Sequence, residues 1–462
     1  MSENETKRAA LIAVSLSAFV TPMMLSGVNV ALPAIAADLL VDAVSLSWIA
    51  TLYLLATAVF VLPAGRLADM IGRKRIFVSG IVVVALGSLL AASSDSITQL
   101  LICRAIQGIG SAMLFPTGVA ILTSVFSPQE RGKVIGVNAA MVYTGISCGP
   151  FFGGWLTEHV SWRSVFVFYL PLVLVAIYLI SARLEGEWKG PAGQRFDFAG
   201  ALIFGVAACA FIYGLSVLTT PIGVAAILIG IVGIVVFVRL QNRLEHPLLA
   251  VSLLFDHQVF KFSCFAALLM YAAVFGSAFL LSLYLQYIKA MSPADAGLIL
   301  LVLPIMMAIC APISGHLSDR YEPRVLSSIG ITFNLVGLGL LALLDASSSF
   351  VYIGTCLVVM GVGFGIFSSP NSNAIMGSVE PEYYGSAAGV MSTTRVCGQM
   401  MSMGVVTLVF ALNLGDVEIT PTVYPTLMNS ISTCFLIGAC TCAVGIYFSL
   451  ARGYLHPVSQ NR

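Results

Sequence analysis

Arg104 and Arg395 are the two residues whose setting demands chemistry. Each interrupts a long apolar run, where a charge is expensive and marks a function by default. Arg104 opens the stretch Arg104-Ala-Ile-Gln107-Gly108-Ile-Gly110-Ser-Ala112, in which small residues keep one helix face thin and Gln107 follows one turn on. A guanidinium in such a place attracts an anionic solute; the alternative for Arg104 is that it snorkels to the outer interface. Asn29, Asn138 and Gln399 also fall inside apolar runs. Polar groups there seek a partner or a cavity. Met23, Met24, Met113, Met141, Tyr143, Tyr271, Gln286, Asn371, Asn373 and Met391 are uncharged, adaptable side chains in apolar runs that either suit promiscuous binding or pack against helices and lipid.

A second group of residues suits movement. In Gly65-Arg-Leu-Ala-Asp69-Met-Ile-Gly72-Arg73-Lys74-Arg75, Gly65 allows close helix approach, and Asp69 can accept from a neighbouring helix N-terminus or from an arginine. Gly145, Gly149 and Gly153 recur every four residues, a smooth stripe for a close helix contact. Pro150 in that stripe removes a backbone bond and is expected to kink the helix.

The elements that must hold these residues follow from composition. The chain of 462 residues has 22 Lys and Arg and 21 Asp and Glu, 9% of the total, against about 25% in a soluble globular protein. Hydrophobic residues reach 59% and the mean hydropathy is +0.99. This excludes a soluble enzyme, a nucleic-acid binder and a disordered chain. The net charge of +1 argues against a large docking face for charged partners. An all-α polytopic membrane protein remains. A spanning helix needs about 20 apolar residues, and fourteen runs qualify, near 9–31, 46–65, 76–93, 97–123, 133–156, 164–182, 198–217, 222–238, 262–287, 294–316, 325–344, 349–376, 385–412 and 428–450. Fourteen spans put both termini on one side. On that side fall 18 of the 22 basic residues, Arg452 among them; Arg163 and Lys289 fall on the other, and Arg104 and Arg395 inside spans. Basic loops stay in the cytoplasm, so both termini are expected there.

The ten cysteines lie within apolar runs and read as small packing residues, with no metal pair or disulfide. The two ends of the chain repeat each other. Pro63-Ala-Gly-Arg-Leu-Ala-Asp69 matches Pro312-Ile-Ser-Gly-His-Leu-Ser-Asp319, and the spacing from Pro128 to Gly132 matches that from Pro381 to Gly385. Two six-helix bundles, 1–183 and 258–462, with an inserted helix pair in 184–257, account for this. Repeat-built transporters place their substrate site near the midplane between the halves.

On these motifs the sequence resembles the major facilitator superfamily, and more narrowly its fourteen-span drug:proton antiporters. Asn29-Val-Ala-Leu-Pro33 at the end of the first helix, Trp162-Arg163, Phe196-Asp197, Tyr284-Leu-Gln286 and Arg395 support the match. The resemblance implies the major facilitator fold, and a gating role for the loop with Gly65, Asp69, Gly72 and Arg73 and for Asp319 in the second half. It implies proton coupling at Arg104, and export rather than import from Gly145, Gly149 and Pro150.

Two positions depart from the family pattern. Met24 stands where an Asp is usual, and Tyr169 where an Asn is common. All 21 acids fall in loops or at helix ends, so a proton carrier is left to Glu158, Asp38 or Asp69. Embedded cations without anions favour anionic, zwitterionic or neutral solutes. The expectation is a non-enzymatic exporter of small amphipathic molecules in the cell membrane, probed by multidrug efflux and antibiotic resistance. It is expected to use protons, to work as a monomer in the bilayer, and to need no cofactor, metal or nucleic acid. A dedicated exporter or uncoupled facilitator of an anionic metabolite is the alternative.

Overall fold

The structure is a computed structural model and describes residues 3–184, 186–189, 196–244, 247–251, 253–254, 257–318, 320–380, 384–415 and 417–454. Fourteen of its helical segments are long and apolar enough to cross a membrane. In chain order they are α1 (Glu3–Leu39), α2 (Ala43–Ile71), α3 (Arg73–Ala92), α4 (Ile97–Val125), α5 (Pro128–His159), α6 (Trp162–Arg183), α7 (Phe198–Ser216), α8 (Pro221–Gln241), α9 (Gln258–Ile288), α10 (Pro293–Ser318), α11 (Pro323–Leu341), α12 (Phe350–Gly377), α13 (Tyr384–Asn413) and α14 (Tyr424–Ala451). The chain is an all-α multi-pass membrane protein. Among the described residues the only β pairing is one isolated bridge, Asp42 with Glu418.

The first helix is longer than its apolar run suggests. It continues through Pro22 and Pro33 to Leu39, so Asn29–Pro33 does not end it. A proline inside a helix leaves the carbonyl four residues earlier without its donor; for Pro33 that carbonyl belongs to Asn29. Ser282 Oγ on α9 donates to it at 2.7 Å. A neighbouring helix thus repairs the break, as membrane proteins commonly do. Three spans are composite. α6 starts with a 3-10 turn at Trp162–Phe166 and ends in a π turn at Leu179–Arg183. α9 is interrupted between Val274 and Ser277, and α10 at Leu301.

Glycine sets how near the helices come. The stripe on α5 lies along α1. A Cβ on Gly145 would overlap the Phe19 carbonyl, one on Gly149 would meet Ser26 Oγ and lie 2.6 Å from Met23 O, and one on Gly153 would lie 2.6 Å from Gly27 Cα. Gly65 differs from expectation. Its virtual Cβ is 3.5 Å from Pro116 Cβ, an ordinary contact, so space alone does not require glycine there. The inserted pair α7 and α8 packs on itself, with Gly214 and Gly230 at the contact. Its outer face is apolar and exposed at Leu202, Ile222, Leu228 and Val232, as a lipid-facing surface is.

Candidate functional site

The connectivity defines two sides, one holding the termini and a far side. On the far side the first six helices and the last six are joined by a seam. Its backbones come very close: the virtual Cβ of Gly154 on α5 would overlap the Pro293 carbonyl of α10, and that of Gly297 on α10 would overlap the Pro150 carbonyl of α5. Around them, Ala294 N donates to Glu158 Oε2 at 3.0 Å, and Gln286 Nε2 to Val30 O at 2.9 Å. Ser47 and Thr51 on α2 meet Thr407 on α13 at 2.9 and 3.2 Å. At the rim Ala43 N donates to Val417 O at 3.2 Å. Nearer the middle, Tyr143 OH on α5 and Ser368 Oγ on α12 are 3.0 Å apart. The seam is built of glycine contacts and neutral hydroxyls. Among the described residues Glu158 is the acid whose side chain bonds across it, accepting from an uncharged N–H at the start of α10, while Asp42 and Glu418 meet at the rim through their backbones.

On the terminus side the loop between α2 and α3 is locked within the first half. Asp69 pairs with Arg73, Oδ1 accepting from Nε and Nη2 at 3.1 and 3.0 Å. Arg73 Nη1 reaches α4 at Ser124 Oγ, 2.7 Å, and Ala120 O, 3.3 Å. Of the two partners open to Asp69, the arginine is the one found. Gly72 carries a φ of +135°, which side chains rarely adopt, and its virtual Cβ would overlap the Glu187 carboxylate. Glu187 was not anticipated. It accepts from Lys74 N at 2.9 Å and lies 3.7 Å from Arg75 Nε, tying the linker after α6 to the start of α3. Asp319, the counterpart of Asp69 in the second half, lies outside the described residues.

Arg104 does not snorkel; its side chain is wholly buried. Nε donates to Ile49 O at 2.9 Å and Nη1 to Gln107 Oε1 at 2.7 Å, and the guanidinium lies 4.5 Å from the Tyr53 ring. Gln107 Nε2 donates onward to Ser88 Oγ at 2.9 Å, and Ser88 meets Tyr169 OH at 2.6 Å. Tyr53 OH closes the other flank on Ser111 Oγ at 2.8 Å. The network draws on α2, α3, α4 and α6 and contains no carboxylate. Tyr169, where an Asn is common in the family, supplies its far end.

Arg395 has a different setting. It is partly exposed on α13, and its guanidinium lies 5.2 Å from the Phe115 ring of α4, across the two halves. Gln399 lies one turn on and is also partly exposed. Asn138 on α5 keeps a buried Oδ1 without a partner. Asn29 is buried and serves the seam through its carbonyl. The two arginines therefore occupy separate environments, one sealed inside the first half and one at the boundary between halves.

Sequence reasoning also missed Arg452. Read as a tail charge, it is buried beneath the second half, with Nη1 donating to Asn371 Oδ1 at 2.9 Å and Ser263 Oγ at 3.2 Å. Burial pulls its pKa down to about 10. Its position one residue beyond a membrane helix hid this from pattern reading. No group of His, Cys, Asp and Glu among the described residues forms a metal site, and all ten cysteines are free thiols.

With this geometry in place, comparison with known proteins is informative. Residues 14–403 match the model of the Major Facilitator Superfamily. The chain is 31% identical over 392 residues to the riboflavin transporter RibZ of Clostridioides difficile, covering 84% of this chain and 85% of that one. It is 31% identical over 415 residues to the multidrug resistance protein Stp of Mycobacterium tuberculosis, covering 88% and 76%. Among solved structures, a bacterial homologue of the human lysosomal transporter Spinster, inward-facing and unoccupied, superposes with a TM-score of 0.64 at 16% identity, over 98% of each chain. The chain is a membrane transporter and belongs to the Major Facilitator Superfamily.

Proposed function

We propose that this transporter exports small amphipathic molecules, drugs among them, across the cytoplasmic membrane by alternating access, in antiport with protons. It works as a monomer with both termini in the cytoplasm. Its moving halves are residues 1–183 and 258–462, and the pair in 184–257 is an insertion between them. The structure then represents the state closed to the outside.

The observation that carries this reading is the seam around α5. One face of that helix grips α1 through Gly145, Gly149 and Gly153, and its far end meets α10 through Gly154 and Pro150. The first contact lies within a half and stays; the second lies between halves and is the one to break on release. Gly65, Asp69, Gly72, Arg73 and Asp319 act as the switch on the inner side, and Arg104 with Gln107 transmits the change. A relative named for multidrug resistance supports export of drugs.

Among the described residues every carboxylate lies in a loop or within a turn of a helix end. Asp38 is already engaged by Arg163 Nη1 at 2.7 Å and Trp162 Nε1 at 3.0 Å, within one half. Among the described residues Glu158 is the acid whose side chain hydrogen-bonds across the halves, which makes it the carboxylate whose protonation loosens the seam. One proton crossing about 100 mV supplies roughly 2.3 kcal/mol, enough for some tens-fold accumulation at about 1.4 kcal/mol per decade.

The test is dye and antibiotic accumulation in cells lacking other exporters, with and without an uncoupler. Expression of the chain lowers accumulation, and the uncoupler restores it. Efflux that survives the uncoupler removes the proton; unchanged accumulation across the panel removes export. A second reading, a dedicated exporter or uncoupled facilitator of one anionic metabolite, is favoured by Arg395, which has no acid beside it.

A further inference from the structure

Arg395 poses a different problem from Arg104. Arg104 is wholly buried and has acceptors for Nε and Nη1, leaving Nη2 without one. Arg395 lies eleven residues into α13, well inside the span, with no hydrogen bond or ion pair among the described residues. A cation at that depth must be met by water or by a bound counter-charge, and the protein places none of its own acids there. The face of Phe115 lies 5.2 Å away on the other half.

The surroundings of Arg395 are aromatic and uncharged. Gly398, three residues on, lets α13 close on α9; a Cβ there would lie 2.7 Å from Tyr271 Cβ. Tyr271 in turn meets the Phe364 ring edge-on at 5.4 Å. Tyr143 of α5 bridges to the second half through Ser368. The Phe115 ring of α4 thus lies over one unpaired guanidinium at the boundary between the halves, and Tyr271 of α9, with Phe364 of α12 against it, packs on the next turn of α13. Helices from both halves contribute, so the arrangement changes whenever the halves move.

Each part selects a ligand feature. A free guanidinium fork matches a carboxylate or an equivalent oxyanion in two parallel hydrogen bonds. Ring faces and edges favour a flat aromatic body. An uncompensated positive charge repels cations. We propose that Arg395 is the anion-recognising residue of the substrate site, and that the site takes planar aromatic molecules bearing a carboxylate or comparable anionic group. This rests on the transporter reading above and names its substrate class.

The experiment is equilibrium binding to the purified full chain in detergent, using three probes of one shape: 2-naphthoate, 2-naphthamide and 2-(aminomethyl)naphthalene. The acid binds tightest and the amine weakest. Arg395→Gln weakens naphthoate at least tenfold and naphthamide less than twofold, and Arg395→Lys keeps part of the preference. If Arg395→Gln does not fold, Phe115→Ala serves: it weakens acid and amide together and leaves their order intact. An amine that binds as well as the acid, no binding by any probe, or an Arg395→Gln variant that folds and keeps its affinity for naphthoate overturns the assignment. These results come from binding alone, so cellular efflux that persists beside any of them leaves the exporter reading standing.

Discussion

Gly297→Ala is expected to open the far side of the molecule. The new Cβ would overlap the Pro150 carbonyl and lie 2.9 Å from its carbon. A backbone carbonyl inside a helix cannot swing aside as a side chain can, so α5 and α10 must separate. Inserting a methyl group into a packed contact costs about 1–3 kcal/mol. At about 1.4 kcal/mol per decade, the joined state weakens about 5- to 100-fold relative to the open one. Gly154→Ala acts on the same contact from the other helix, through the Pro293 carbonyl. Being neighbours, the two substitutions do not add. Gly354→Ala on α12, where a Cβ meets nothing within 4 Å, is the control. Pulsed electron resonance between spin labels at Val160 and Leu343, exposed far-side positions on opposite halves, reads the separation. Gly297→Ala and Gly154→Ala shift the distribution to longer distances and Gly354→Ala does not. A parental distribution in Gly297→Ala would refute the reasoning, whether or not its thermal stability falls.

Further outcomes follow from the same contacts. Pro33→Ala restores an N–H for the Asn29 carbonyl and competes with Ser282 for it; the seam loses up to about 1 kcal/mol, seen as a smaller shift in the same labelled pair. Gly72→Ala places a side chain at φ +135° against Glu187 and costs about 1–3 kcal/mol, abolishing most flux, whereas Gly65→Ala, with ordinary contact to Pro116, lowers flux less. Tyr169→Phe removes the Ser88 hydrogen bond and lowers stability by about 1 kcal/mol in thermal unfolding. Arg104→Met lowers it more, because Gln107 Oε1 and the Ile49 carbonyl lose their donor.

The spans were readable because a lipid-exposed helix must be apolar along its length, and loops must hold the charges. The length of α1 was not readable. A proline normally signals an end, and the hydroxyl of Ser282 on α9, far along the chain, makes Pro33 tolerable by bonding the Asn29 carbonyl. Asn29 was singled out for its side chain, yet its carbonyl makes the contact. Arg104 was legible as a demand for partners, but its partners come from four helices with no shared sequence pattern. Tyr169 drew attention as a departure from the family, and the network gives that departure a physical reason. The stripe on α5 was legible in its period, while the contact of Gly154 with α10 was not, since Gly297 lies in a short helical piece without a repeat. Arg452 looked like a tail charge because one residue of helix end separates a solvated position from a buried one.

The central claim is that the seam must part for solute to cross. Ser47→Cys with Thr407→Cys, in a background with the ten native cysteines replaced, tests it directly, because the parent oxygens are 2.9 Å apart. Flux of a transported dye is measured in liposomes before oxidation, after oxidation to the disulfide, and after reduction. The account predicts that flux falls to the level of empty liposomes when the pair is bonded and returns on reduction, with each single cysteine variant unaffected. Undiminished flux through the bonded protein would contradict it.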